Sequence, residues 1–162
     1  ITLHRPSNVD SKINLCKIVE LLHLFSEQTD VVFPVHPRTR KNLVDFDLWD
    51  KIAHSQKIKL LNPLGYLDFI KLIMEAKVVI TDSGGIQEET TVLNVPCLTM
   101  REETERPITV SVGTNKIIGT DPSTVISEFD NCLKNPKKGV VPEFWDGKSA
   151  QRIAKIISNI KS

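Results

Sequence analysis

Val78-Val79-Ile80-Thr81-Asp82-Ser83-Gly84-Gly85-Ile86-Gln87-Glu88-Glu89 is the stretch that decides how this chain is read. A short β-branched run, apolar on both faces, passes through Asp-Ser-Gly-Gly straight into residues of helical character. Such a run fits a parallel strand covered on both sides. In open α/β sheets, ligands collect beyond the carboxyl ends of the strands, which is where this junction falls. Two glycines leave the backbone amides unshielded. Those amides open a helix, whose positive end favours an anion such as a phosphate. Ser83 adds a hydroxyl donor, and Glu88 and Glu89, one turn on, are placed to accept from ligand hydroxyls such as a ribose diol. The plain alternative is a tight turn with Ser83 as cap and two glutamates that suit the helix dipole. For the dipeptide alone, that alternative is favoured. No Gly-Lys-Ser/Thr follows and no G-x-G-x-x-G is present, so a P-loop ATPase or a nicotinamide dehydrogenase is unsupported.

Outward from this junction, apolar β-branched runs recur at residues 31–35, 58–61, 97–100 and 116–118, with residues 1–3 as a further candidate strand. Helical periods lie between them. Ile18, Leu21, Leu22 and Phe25 form one core stripe, with Asn8, Asp10 or Ser11 as its cap. Tyr66, Phe69, Ile70 and Ile73 form a second, and Ile153, Ile156, Ile157 and Ile160 a third. Asp121 with Pro122 opens a helix running towards Asn135, and residues 136–142 read as a loop. This alternation predicts βαβ units in an α/β fold with a doubly wound parallel sheet. There is no internal repeat, low-complexity tract or linker, so one domain is expected.

The chain has 162 residues, 40% of them hydrophobic, enough to bury a core without disulfides or metal. Its 21 basic and 20 acidic residues leave a net charge of +1, which removes the main argument for a nucleic-acid or anionic-membrane partner. No apolar run approaches the roughly 20 residues needed to cross a bilayer, and no leader is evident at the start, so neither a membrane nor secretion is expected. Cys16, Cys97 and Cys132 form no CxxC pair and read as free thiols of a cytoplasmic protein. His, Cys and carboxylate residues lack ligand spacing, so no metal is expected.

Three further strand ends carry ligand-competent groups. Thr2-Leu3-His4-Arg5-Pro6 ends in an imidazole and a guanidinium, which can meet a phosphate or move a proton. Val35-His36-Pro37-Arg38 repeats strand, histidine, proline. Arg101-Glu102-Glu103-Thr104-Glu105-Arg106-Pro107 follows another strand and offers Arg106 as a phosphate partner. Each alone reads as surface decoration, a structural histidine or a solvated charge run. Their common edge is what gives them weight. His23 and His54 have no such setting.

With these segments in place, the chain resembles the C-terminal half of bacterial and archaeal UDP-N-acetylglucosamine 2-epimerases over essentially its whole length. The resemblance rests on Thr2-Leu3-His4-Arg5 with Asn8, Pro34-Val35-His36-Pro37, Tyr66-Leu67-Asp68-Phe69, and Thr81 through Glu89. It extends to Thr104-Glu105-Arg106-Pro107, Val112-Gly113-Thr114 and Gly119-Thr120-Asp121. The Asp-Ser-Gly-Gly-Ile-Gln-Glu-Glu string followed by Thr-Glu-Arg-Pro is specific. It implies a Rossmann-like domain forming one half of a GT-B fold, with UDP-GlcNAc bound in the cleft between two domains. The implied reaction is reversible inversion at C2 to UDP-ManNAc, by elimination and re-addition of UDP through a glycal.

On the matched positions, Ser83, Gly84 and Gly85 would hold the diphosphate and Glu89 the ribose. Phe69 and the backbone near Leu64 would enclose the uracil. Arg106 would bind on the phosphate side, and His4, the catalytic candidate, would lie at the phosphates near the reacting sugar. Arg5 and His36 match positions near an allosteric UDP-GlcNAc site of the non-hydrolysing members. No cofactor is implied. Ser7 stands where many members have glutamate, and Ile108 where many have an acidic residue.

The family's N-terminal domain, which supplies the acidic groups for C2 proton transfer, has no counterpart in this sequence, and Ile1 reads as the seam. The isolated chain is therefore expected to be monomeric, to bind UDP weakly at best and not to epimerise, with dimerisation belonging to the longer enzyme. The alternatives are a hydrolysing epimerase, a GT-B glycosyltransferase domain, and a stand-alone UDP-binding remnant.

Overall fold

The computed structural model describes residues 1–160. In chain order the elements are α1 (Pro6–Val9), α2 (Lys12–Gln28), β1 (Val31–Pro34), α3 (Pro37–Asp45), α4 (Trp49–Ala53), β2 (Ile58–Leu61) and α5 (Tyr66–Met74). They continue with β3 (Val79–Thr81), α6 (Gly84–Val92), β4 (Cys97–Thr99), α7 (Pro107–Ser111), β5 (Asn115–Ile117), α8 (Pro122–Lys134) and α9 (Ser149–Ile160).

Every ladder is parallel. Val31 of β1 lies opposite Ile58 of β2, Val79 of β3 opposite Cys97 of β4, and Cys97 opposite Asn115 of β5. Residues 1–3 run between the two ladders. The Ile1 nitrogen donates to the Val32 carbonyl at 2.8 Å, and the Thr2 amide donates to the Ile80 carbonyl at 2.9 Å. Residues 1–3, a candidate strand in the sequence, make a single bridge, Thr2 opposite Thr81. The order across the sheet is β2, β1, residues 1–3, β3, β4, β5. The chain starts in the middle, winds outward one way and returns to wind the other. That is the doubly wound, Rossmann-like arrangement, and its reversal point lies between residues 1–3 and β3.

Alternation along the strands sorts side chains between two layers. Ile80, Leu98 and Ile118 join Leu15, Ile18, Leu22 and Phe25 of α2 and Val125 and Phe129 of α8 in the larger core. The Phe25 and Phe129 rings lie 4.4 Å apart between their centroids. Val79 points the other way, to Ile73 of α5 and Ile86 of α6. The predicted stripe of α2 is therefore buried as read. Asp121 caps α8 by accepting from the Thr124 amide at 3.0 Å, ahead of Pro122. α2 begins after Ser11, whose side chain makes no capping bond.

Two predicted stripes differ. In α5 Ile73 is buried, but Phe69 and Ile70 are half-buried and Tyr66 is 65% exposed. In α9 all four isoleucines are exposed, between 51% and 78%. Periodicity identified an amphipathic helix in each case, yet α9 has no layer packed on its apolar face among the described residues.

Candidate functional site

The carboxyl ends of residues 1–3, β1 and β3 meet at the reversal point. Asp82, immediately after β3, is fully buried. Its carboxylate accepts from the His4 amide at 3.0 and 3.1 Å, the Arg5 amide at 2.8 Å and the Asn8 side-chain amide at 3.0 Å. The His4 ring joins the same carboxylate, Nδ1 to Oδ1 at 3.0 Å. Thr39 of α3 donates to the Leu3 carbonyl at 2.5 Å, so the last residues before His4 are held from both sides. His36 lies just beyond β1 and is the N-cap residue of α3, its Nδ1 accepting from the Arg38 amide at 3.2 Å. The His4 and His36 rings lie 5.3 Å apart at a tilt of 39°.

His4, His36, Leu64, Phe69 and Ser83 border one cleft of about 280 Å³. Five of the residues singled out in the sequence, separated widely along the chain, thus share one surface. A larger cavity of about 330 Å³ lies by the starts of β1 and β3, against Ile1, Val31 and Val79. That is the end opposite to where such sheets bind ligands.

At the start of α6 the plain reading of the glycines loses its basis. Neither Gly84 nor Gly85 has a positive φ. A methyl group at Gly85 would meet nothing within 4 Å, and one at Gly84 only Glu105 Oε2 at 3.8 Å. Neither turn geometry nor packing calls for two glycines here. Ser83 is the N-cap residue by backbone conformation, but its side chain makes no capping bond. Instead its amide donates to Thr81 Oγ1 at 3.0 Å. A serine hydroxyl and the first amides of a nine-residue helix are left facing open space.

Glu89 borders a second cleft of about 300 Å³, with Glu88, Tyr66, Ile70 and Trp145. Both clefts take residues from α5 and from α6. Burial, and then the neighbouring charge of Glu88, pushes the Glu89 carboxyl above its ordinary range. Arg106 does not reach the start of α6; its Nε pairs with Glu88 Oε1 at 2.9 Å. Glu105 does lie there. Arg101 grips it with a fork at 2.7 and 3.1 Å, and Arg5 stands at 3.6 Å. The hydrogen-bonded Arg101 fork, more than any other group, holds the Glu105 carboxyl down at about 2. Arg5 keeps a buried Nε without a partner among the described residues.

Two functional supports were not singled out from the sequence. Asp82 is one; its signal is an acid placed directly after the buried strand Val79-Ile80-Thr81. Gln87 is the other. It is fully buried, and its Oε1 accepts from Thr104 Oγ1 at 2.5 Å and Asn115 Nδ2 at 3.1 Å. Thr104 also accepts from the Arg106 amide at 2.9 Å. This chain of bonds ties the first turns of α6 to the Thr104–Arg106 loop and to β5.

Comparison with known proteins agrees with this geometry. The family model for UDP-N-acetylglucosamine 2-epimerase matches residues 1–158. The UDP-N-acetylglucosamine 2-epimerase of Methanocaldococcus jannaschii is 44% identical over 160 residues, covering 98% of this chain and 43% of that protein. That of Methanococcus maripaludis is 42% identical over 159 residues, covering 97% and 43%. A crystal structure of the Methanocaldococcus jannaschii UDP-GlcNAc 2-epimerase in complex with UDP-GlcNAc and UDP has a TM-score of 0.88 at 43% identity. It covers 98% of this chain and 44% of that one. The chain spans less than half the length of the curated relatives it matches. A match over nearly all of the sequence, at this identity and with this fold, settles the family: the chain belongs to the UDP-N-acetylglucosamine 2-epimerases.

Proposed function

We propose that this chain is the C-terminal, UDP-binding lobe of a UDP-N-acetylglucosamine 2-epimerase of GT-B architecture. It works in the cytoplasm with a second lobe that closes over the nucleotide-sugar. One observation carries the reading: Gly84 and Gly85 open α6 where neither φ nor packing demands glycine, beside a serine hydroxyl that makes no capping bond. A pyrophosphate fills that description, because it needs backbone amides at close range and a positive helix end. Glu89 then takes the ribose hydroxyls, Leu64 and Phe69 flank the uracil, and His4 faces the phosphates. Arg106, paired with Glu88, reaches the nucleotide after exchanging that partner. Arg5 and His36 border the same edge, where a second nucleotide-sugar would act as activator.

In the reaction, charge grows on the departing diphosphate as the C1–O bond breaks. Fixed amides at the α6 terminus, the Ser83 hydroxyl and the His4 ring meet that charge without reorganising. Abstraction of the C2 proton needs a base and exclusion of water, and we assign both to the second lobe, along with dimerisation. The 162-residue chain alone is expected to bind UDP weakly, as a monomer, and to form no UDP-ManNAc. Titration with UDP followed by amide NMR, with a coupled assay for UDP-ManNAc, tests this. The expected result is movement of the Ser83, Gly84 and Gly85 amides without turnover. Robust epimerisation by the isolated chain, or UDP shifts confined to residues away from α6, would overturn it.

A further inference from the structure

We propose that Asp82 is the positioning residue of this site: by accepting the Nδ1 proton of His4 it fixes the imidazole so that Nε2 is the nitrogen offered to the ligand's diphosphate. The inference rests on the nucleotide-sugar reading above and deepens it.

Asp82 is fully buried, so its carboxylate has no water to satisfy it and must be filled by protein donors. The donors come from the one segment that carries His4: the His4 and Arg5 amides and the Asn8 side chain. Asn8 is buried as well, and the same Nδ2 that donates to Asp82 also donates to the Met100 carbonyl at 3.1 Å. Backbone and ring of His4 are thus fastened to one rigid anchor at the end of β3. A carboxylate in this arrangement accepts and does not donate, so the proton shared with His4 sits on Nδ1. The second ring nitrogen is left for something other than Asp82.

His36 does not compete for that role. Its ring lies against His4, but its Nδ1 is engaged by the Arg38 amide at the start of α3. The His4 side chain remains 34% exposed on the cleft that Ser83 also borders. An imidazole backed by a buried carboxylate keeps one orientation and one tautomer. It can therefore meet a developing phosphate charge without first searching for its pose.

Long-range proton–nitrogen NMR on the chain with isotope-labelled histidine reads the tautomer directly, with His4→Gln identifying the resonances. The expected result is a His4 ring that carries a proton on Nδ1, towards Asp82, and whose Nε2 resonance moves on addition of millimolar UDP. In Asp82→Asn the amide offers a single acceptor oxygen. The fixed tautomer and the UDP response of Nε2 should then be lost, while the Gly84 and Gly85 amides still respond. A ring protonated on Nε2 alone, or exchanging between the two forms, in the parent chain would overturn the proposal; so would an Asp82→Asn chain with the parental tautomer. The parent measurement decides the matter even where Asp82→Asn does not fold. It is made without ligand, which separates the two readings. An Nδ1-protonated His4 in a chain whose Gly84 and Gly85 amides ignore UDP upholds the anchoring and overturns the nucleotide assignment.

Discussion

Burial, and behind it the charge of Glu88, pushes the Glu89 carboxyl above the ordinary glutamate range. Between the unfolded and the native value the native state binds more protons, so stability falls as pH rises through that window and the full cost is present above it. Glu89→Gln is therefore expected to raise Tm at pH 7 by a few degrees at most. The gain should vanish below about pH 4, where both states are protonated. The same change removes a charged acceptor for the ribose, which is expected to weaken UDP binding by roughly 10- to 100-fold. Melting curves at the two pH values and a UDP titration check both halves. A group that costs stability and gains affinity is what a binding site retains. Ser83, Gly84, Gly85 and Glu89 can be proposed from the sequence because their residue types suit anion and hydroxyl chemistry at a helix start. Asp82 stands in the same string but was not assigned. Its partners lie 78, 77 and 74 positions away, and only the reversal of strand order brings them to it.

At the scale of elements, the glycines divide into those the fold needs and those it does not. A Cβ at Gly139 would lie 2.5 Å from the Gly113 carbonyl carbon and 2.7 Å from the Thr114 amide nitrogen, both of them backbone atoms that cannot swing aside. Gly139→Ala should cost about 1–3 kcal/mol. Gly85→Ala, by contrast, should leave stability unchanged or raise it by up to about 1 kcal/mol, since alanine suits a helix better. It should also reduce UDP affinity at least tenfold by blocking close approach. Denaturant titrations paired with UDP binding distinguish the two outcomes. Helix α6 was read correctly as an element because its glycines, its cap and the strand before it all agree. Helix α5 was read correctly as a helix whose stripe, Tyr66 apart, packs in or against the smaller core; α9 was read correctly as a helix, but its stripe is uncovered among the described residues. An apolar stripe records that a face avoids water, but not which layer covers it, and for α9 the described residues provide none. The unforeseen half-exposure of α5 has a local explanation, since Tyr66 and Ile70 border the cleft that holds Glu89.

For the molecule as a whole, the doubly wound architecture followed from the sequence because the strands are short, most of them are largely apolar, and each is separated by a helix from the next. The stagger of the sheet did not follow. Nothing in Ile1-Thr2-Leu3 foretells that this segment makes the backbone join between the two ladders among the described residues. That join consists of the Ile1 bond to the Val32 carbonyl and the Thr2 bond to the Ile80 carbonyl. It acts as a perforation line: the sheet is expected to part there before either ladder melts, and parting takes His4 away from Asp82. Amide hydrogen exchange should report this as a sub-global opening. The Thr2 amide should exchange at lower free energy than the Met100 amide, which is bound to the Thr81 carbonyl at 2.8 Å within the three-stranded ladder. UDP, spanning the join from His4 to Ser83, should slow Thr2 exchange selectively. Equal protection of the two amides would show instead that the sheet opens as one piece. The segment that completes the sheet is thus also its weakest line, and a nucleotide bound across it doubles as the stitch.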